Sequence, residues 1–142
     1  MTTPFQTIGC CVDHSPAGLA VAAEGVRLRD ASGGAALHLV HVIEPPPVLH
    51  AGPFTYVEPA AVVRSDEDHW LHAQAAKTPG ATGVLLEGDP ADAVCEWAAR
   101  TGADLLIVAR HRGPLARALR GSFAGRVAEH APCPVLVLRP PD

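Results

Sequence analysis

Apolar and polar positions along this chain follow two rhythms in turn. A short apolar run, Ile8 to Val12, gives way to the polar Asp13-His14-Ser15-Pro16, and apolar residues then recur three and four apart at Leu19, Ala22, Ala23 and Val26. The run predicts a strand, and the recurrence predicts a helix with one stripe turned toward a sheet. Ser15 suits the cap of that helix, Pro16 suits its first position, and Gly33-Gly34 closes the unit.

The same alternation repeats to the end of the chain. Ala36 to Ile43 reads as a second strand, stopped by Glu44-Pro45-Pro46-Pro47 because consecutive prolines cannot continue a ladder. Glu44 to Arg64 carries no periodicity and reads as a loop, long enough for a functional flap. Ser65 followed by Asp66, Glu67 and Asp68 predicts a capped helix running to about Lys77. Val84 to Glu87 reads as a third strand, Asp89-Pro90 as the start of a helix striped by Ala91, Val94, Cys95 and Ala98, and Gly102 as its end. Asp104 to Ala109, apolar after its first residue, is the candidate for a central strand buried on both faces. Gly121-Ser122 opens a last helix striped by Ala124, Val127, Ala128 and Ala131, and Val135 to Leu138 is the last strand.

Strands alternating with helices imply an α/β fold: an open five-stranded parallel sheet with helices on both faces, formed by a single domain over residues 1–142. Ligands of such sheets bind beyond the carboxyl ends of the strands, where the strand order reverses. The turns after strands one, two and four are therefore the places to look for chemistry.

Composition narrows the picture. Hydrophobic residues at 48% and charged residues at 18% suit a globular domain. A net charge of −4 gives no basic field for nucleic acid, apolar runs are too short for a membrane helix, and the first residues do not resemble a secretory signal, so the cytoplasm is the expected location. Cys10, Cys11, Cys95 and Cys133 lack paired zinc-type spacing and read as small packing groups. His69 and His72 share a helical face without a third ligand, and His38 and His41 point to opposite faces of their strand. No metal is expected from these patterns, apart from Mg accompanying a bound nucleotide.

At the carboxyl edge, Gly121-Ser122 offers backbone amides, a hydroxyl and a helix N-terminus that suit a phosphate, or serves as an ordinary cap. Arg110, His111 and Arg112 follow the central strand and read either as a cationic rim or as a solvated loop. No Ser or Cys stands beside an evident base, so no catalytic set emerges and the chain is not expected to be an enzyme. Val135 to Leu138, the closing strand, is expected at one sheet edge, where pairing with a second copy would make a homodimer.

In order and spacing, Val12-Asp13-His14-Ser15-Pro16, Leu39-Val40-His41-Val42-Ile43, Glu87-Gly88-Asp89-Pro90, Ala103 to Val108 and Gly121-Ser122 with Pro134 to Leu138 resemble the universal stress protein family over nearly the whole chain. The resemblance implies a Rossmann-like, adenine nucleotide alpha hydrolase-like fold and a stress-response role. It also implies a possible ATP site formed by Asp13, Val42, Ala109, Arg110, His111, Arg112, Gly113, Gly121 and Ser122. ATP-binding members carry G-x2-G-x9-G-[ST] after the fourth strand; here Ala109 and Arg112 occupy the first two glycine positions, Gly113 is displaced by one, and Gly121-Ser122 matches. Arg112 opposes the positive φ and close backbone approach that glycine permits. Three functions follow from this reading: a nucleotide-binding regulatory domain, a dimeric interaction protein with an empty crevice and an unknown protein partner, or a weak nucleotide hydrolase.

Overall fold

The computed structural model describes residues 4–44, 60–110 and 122–139. Its elements run β1 (Thr7–Cys11), α1 (Ala17–Ala31), β2 (Ala36–Ile43), α2 (Ala60–Lys77), β3 (Ala81–Glu87), α3 (Pro90–Thr101), β4 (Leu105–Ala109), α4 (Phe123–His130) and β5 (Val135–Leu138). The strands form one parallel sheet in the order β3-β2-β1-β4-β5, so the chain builds outward one way through β3 and then returns to lay β4 on the other side of β1. The reversal between β1 and β4 is the crevice position that the alternation of elements anticipates. The expected open five-stranded parallel sheet with helices on both faces is the observed one.

Strand alternation divides the core into two layers. Ile8, Cys10, Leu37, Leu39, Leu105 and Ile107 face α1 and α2, packing with Val21 and Leu71. Val40, Leu106 and Val108 face α3 and α4, packing with Ala91, Val94, Trp97, Ala98, Ala124 and Val127. Leu105 to Val108 are buried throughout, which explains why this segment reads as an unbroken apolar run. Among the described residues, no helix is long and apolar enough to cross a membrane.

Several sequence expectations shift by a few residues, for identifiable reasons. The second helix starts at Ala60, so residues 60–64, expected to be loop, are helical, and Ser65 lies inside the helix rather than at its cap. The remainder of the expected loop, residues 45–59, lies outside the described residues. β3 begins at Ala81, because pairing with β2 from Leu37↔Ala81 extends it across polar Thr82 and across Gly83. The sheet-facing stripe of α1 is Gly18, Val21 and Gly25; Leu19 is 65% exposed. Glycine carries no hydrophobic signal, yet here it marks the closest approach. A Cβ on Gly25 would come within 2.3 Å of the Cys10 sulfur and 3.0 Å of Leu37, so α1 can lie this near the sheet only because that side chain is missing.

The thiols behave as packing groups. Burial pushes the Cys10 thiol up to about 12, and Cys11 is driven well above the ordinary range, first by burial and then by its neighbours Cys10, Cys95 and Cys133.

Candidate functional site

The carboxyl ends of β1 and β2 meet the first turns of α1 and α3 at one edge of the molecule. Asp13 leaves β1 and folds back on itself, its Oδ1 accepting from the Ser15 backbone amide at 2.9 Å and from the Ser15 hydroxyl. Ser15 thus serves an Asx turn instead of capping α1, whose N-cap is Pro16 with no side-chain cap bond. The carbonyl of Asp13 lies where a Cβ on Gly18 would come within 2.9 Å, so this helix start packs directly on the Asp13 backbone.

A hollow of about 120 Å³ beside this turn is lined by Asp13, Val42, His41, Glu44, Val94 and Phe123. Two of the residues anticipated for a nucleotide, Asp13 and Val42, therefore meet in one hollow although they come from different strands. Ala109 ends β4 in register with Leu138, and the Arg110 amide donates to the Leu138 carbonyl at 2.8 Å, so this pair runs on toward β5 and is absent from the lining of that hollow. Ser122 caps α4, its Oγ accepting from the Gly125 amide at 3.1 Å. His111, Arg112, Gly113 and Gly121 lie outside the described residues.

Next to Ser122, the N-termini of α3 and α4 are tied together. Asp89 caps α3, accepting from the Asp92 amide at 3.0 Å, and also accepts from the two terminal guanidinium nitrogens of Arg126 at 3.0 and 2.8 Å. The Arg126 hydrogen bonds, and then the Asp92 amide, hold the Asp89 carboxyl below its ordinary range.

On the other side of Asp13 stands a group that spacing along the chain does not disclose. His14 from the turn after β1 and His41 from β2 each place Nε2 2.8 Å from the same oxygen, Oε2 of Glu67 in α2. His41 Nδ1 lies 3.0 Å from the Val12 carbonyl, and the Trp70 ring packs on both imidazoles, with centroids 4.0 Å from His14 and 4.8 Å from His41. Burial opposes charge on Glu67, but the hydrogen bonds from His14 and His41 outweigh it and hold the carboxyl below its ordinary range. The one clue in the sequence is the alternation that sends His38 and His41 to opposite faces. His38 indeed packs against Trp97 of α3 while His41 turns to α2, but only the docking of α2 brings Glu67 to it.

A cavity of about 500 Å³ continues from Asp13 and His14 between α1 and α2, past Leu19, Trp70, Gln74 and Lys77. Of the stripe expected to face the sheet, Ala22 and Val26 do pack against the core, while they also line this cavity together with Ala23 and the exposed Leu19.

Comparison with known proteins places the chain in a wider set. The family model described as the universal stress protein family matches residues 4–139. A universal stress protein of Thermus aquaticus is 33% identical over 131 residues, covering 89% of this chain and 91% of that one. Among solved structures, a universal stress protein in complex with cAMP is similar at 26% identity with a TM-score of 0.64, covering 94% of this chain and 96% of that one. An Arabidopsis thaliana universal stress protein family member with AMP bound shares the fold at 20% identity and a TM-score of 0.62, with 96% and 92% covered.

Proposed function

The chain belongs to the universal stress protein family, and from that premise we propose that it is a cytoplasmic regulatory domain of the stress response. In this reading it binds an adenine nucleotide at the carboxyl edge of its sheet and turns nothing over. The observation that carries the reading is the meeting of Asp13 and Val42 in one hollow at the carboxyl ends of β1 and β2, the sheet edge at which folds of this kind take their ligands, with β1 bordering the reversal of strand order. The similar protein solved with cAMP supports an adenine nucleotide as the ligand class. The hollow, at about 120 Å³, is smaller than the roughly 300 Å³ and more of a whole-ligand pocket, so it suits one flat ring better than a complete nucleotide. Ser122 at the N-terminus of α4 is the group for a phosphate, and Mg would accompany ATP.

Calorimetric titration with ATP and with cAMP tests this. Wild type should bind at least one of them, Val42→Trp should fill the hollow and abolish binding, and Gly121→Val and Ser122→Ala should weaken it. A wild type that binds neither, or a Val42→Trp variant that binds as well as wild type, overturns the reading. Bound nucleotide recovered unchanged after long incubation is the result expected of a regulatory domain, and steady product formation would make the chain an enzyme.

We further propose that the chain is a homodimer through β5. Val135, Leu136, Val137 and Leu138 form an edge strand of apolar residues, each half-buried, and an edge of this character is stabilised by pairing with its own copy about a two-fold axis. Light scattering should give the mass of two chains for wild type and of one for Val137→Lys, and a wild type that stays monomeric at high concentration removes this part of the proposal.

A further inference from the structure

His41 is the best place to see what the cluster at His14 and Glu67 lacks. A backbone carbonyl only accepts hydrogen bonds, so the 3.0 Å approach of His41 Nδ1 to the Val12 carbonyl assigns the ring hydrogen to Nδ1. In the neutral ring this leaves a lone pair on Nε2, and that lone pair is aimed at a carboxylate oxygen 2.8 Å away. A second imidazole nitrogen, Nε2 of His14, converges on the same oxygen at 2.8 Å. Two imidazole nitrogens and a carboxylate oxygen thus converge on one point, which hydrogens on the imidazole nitrogens or a metal ion can fill.

The arrangement has the parts of a metal site. One ligand atom from each of His14, His41 and Glu67 lies within 4.8 Å of the others. The bond from His41 Nδ1 to a carbonyl is the outer contact that ordinarily fixes a ligating histidine with its other nitrogen toward the metal. Trp70 walls the two rings. The side chains grade from fixed to open: His41 is 10% exposed, Glu67 24% and His14 55%. Bonds of about 2.0–2.2 Å from zinc to nitrogen and oxygen would set tetrahedral ligand atoms about 3.4 Å apart. Admitting the ion therefore asks the Glu67 carboxylate and the exposed His14 ring to draw back by about half an ångström, and His14 is free to do so on its solvent side.

We propose that His14, His41 and Glu67 bind a divalent transition-metal ion of the Zn²⁺ class, with two imidazoles and one carboxylate as ligands and the fourth position open to solvent on the side of His14. Imidazole with carboxylate suits zinc and its neighbours in the first transition row, whereas Mg²⁺ and Ca²⁺ take oxygen ligands. The site adjoins the nucleotide reading, since His41 also lines the hollow at Val42, but it uses neither Val42 nor Ser122 and does not rest on that reading.

The experiment is a titration of the full chain, stripped of metal with chelator and free of nucleotide, with Zn²⁺ by calorimetry and with Co²⁺ followed by its visible absorption. One equivalent should bind, and Co²⁺ should develop the intense bands of a low-coordinate ion bearing nitrogen ligands. His14→Ala, at an exposed position whose loss leaves the core intact, and Glu67→Gln, which keeps the side chain's shape, should each weaken binding by more than the roughly 10–100-fold that loss of an outer contact costs. His69→Ala, outside the cluster, should bind as wild type does, and Mg²⁺ should not compete. Absence of stoichiometric Zn²⁺ or Co²⁺ uptake by wild type overturns the proposal. So does uptake that survives both His14→Ala and Glu67→Gln, which would assign the ion to the cysteines or to other histidines.

Discussion

On the flank formed by α3 and α4, the described caps are held by groups close to them in the chain and by one guanidinium between the helices. Asp89 and Ser122 cap their own helices three residues on, and Arg126 joins the two caps. On the flank formed by α1, β2 and α2, the polar groups are held across long stretches of chain: His14, His41 and Glu67 come from three separate segments and meet on one oxygen, and His41 also reaches the Val12 carbonyl. The first flank is exposed and modular, so that each bond is worth little and its loss stays local. The second rests on the docking of α2 through Leu71, which is 1% exposed, so that a packing change well below the cluster reaches all of its members.

The sharpest way to break this contrast is Leu71→Ala. Truncating a buried leucine costs about 2–5 kcal/mol, read by urea denaturation, and the loss should not spread evenly. Amides of α2 should exchange with solvent much faster, while those in α3 and α4 keep their protection. Uniform acceleration through both helix layers would mean that the two flanks fold as one unit and that the contrast is false.

Ser122→Ala is expected to do less, at about 1 kcal/mol, the ordinary loss for an N-cap hydroxyl. The change should be confined to the first turn of α4, with the chemical shifts of the His14 and His41 rings unmoved. Movement of those rings would show that the flanks communicate through the hollow lined by Asp13 and Phe123.

The smallest effect is electrostatic and is read against pH. Arg126 holds the folded-state pKa of Asp89 below its ordinary 3.8, so the pair stabilises the fold above that value, and the contribution is lost as pH falls through the lower folded value. Arg126→Gln should therefore be slightly less stable than wild type at neutral pH, and the two denaturation curves should draw together below about pH 4. A difference that persists undiminished into acid would mean that Arg126 acts through packing of its stem, not through its charge.

The same contrast explains what could be read from the chain. The strand and helix order, the buried run at Leu105 to Val108, the cap at Asp89-Pro90 and the cap at Ser122 are each written within a few neighbouring residues, because hydrophobic period and capping are local physics. The boundaries that moved did so where a neighbour outside the window decided them. Ladder pairing extended β3 to Ala81, and the turn of Asp13 took Ser15 away from α1. Part of the sheet-facing side of α1 was hidden because Gly18 and Gly25 contribute by what they lack, and a missing side chain leaves no apolar signal to count. Asp13 and Val42 were legible as candidates because both stand at the carboxyl ends of strands, but their shared hollow depends on Phe123 and Val94, which line it from other elements. Nothing local to residues 14, 41 and 67 marks them as a group. The alternation of β2 assigned His41 a face, and the tertiary structure alone decided what it would meet there, since contact between distant segments follows from how helices dock on the sheet and from no period along the chain.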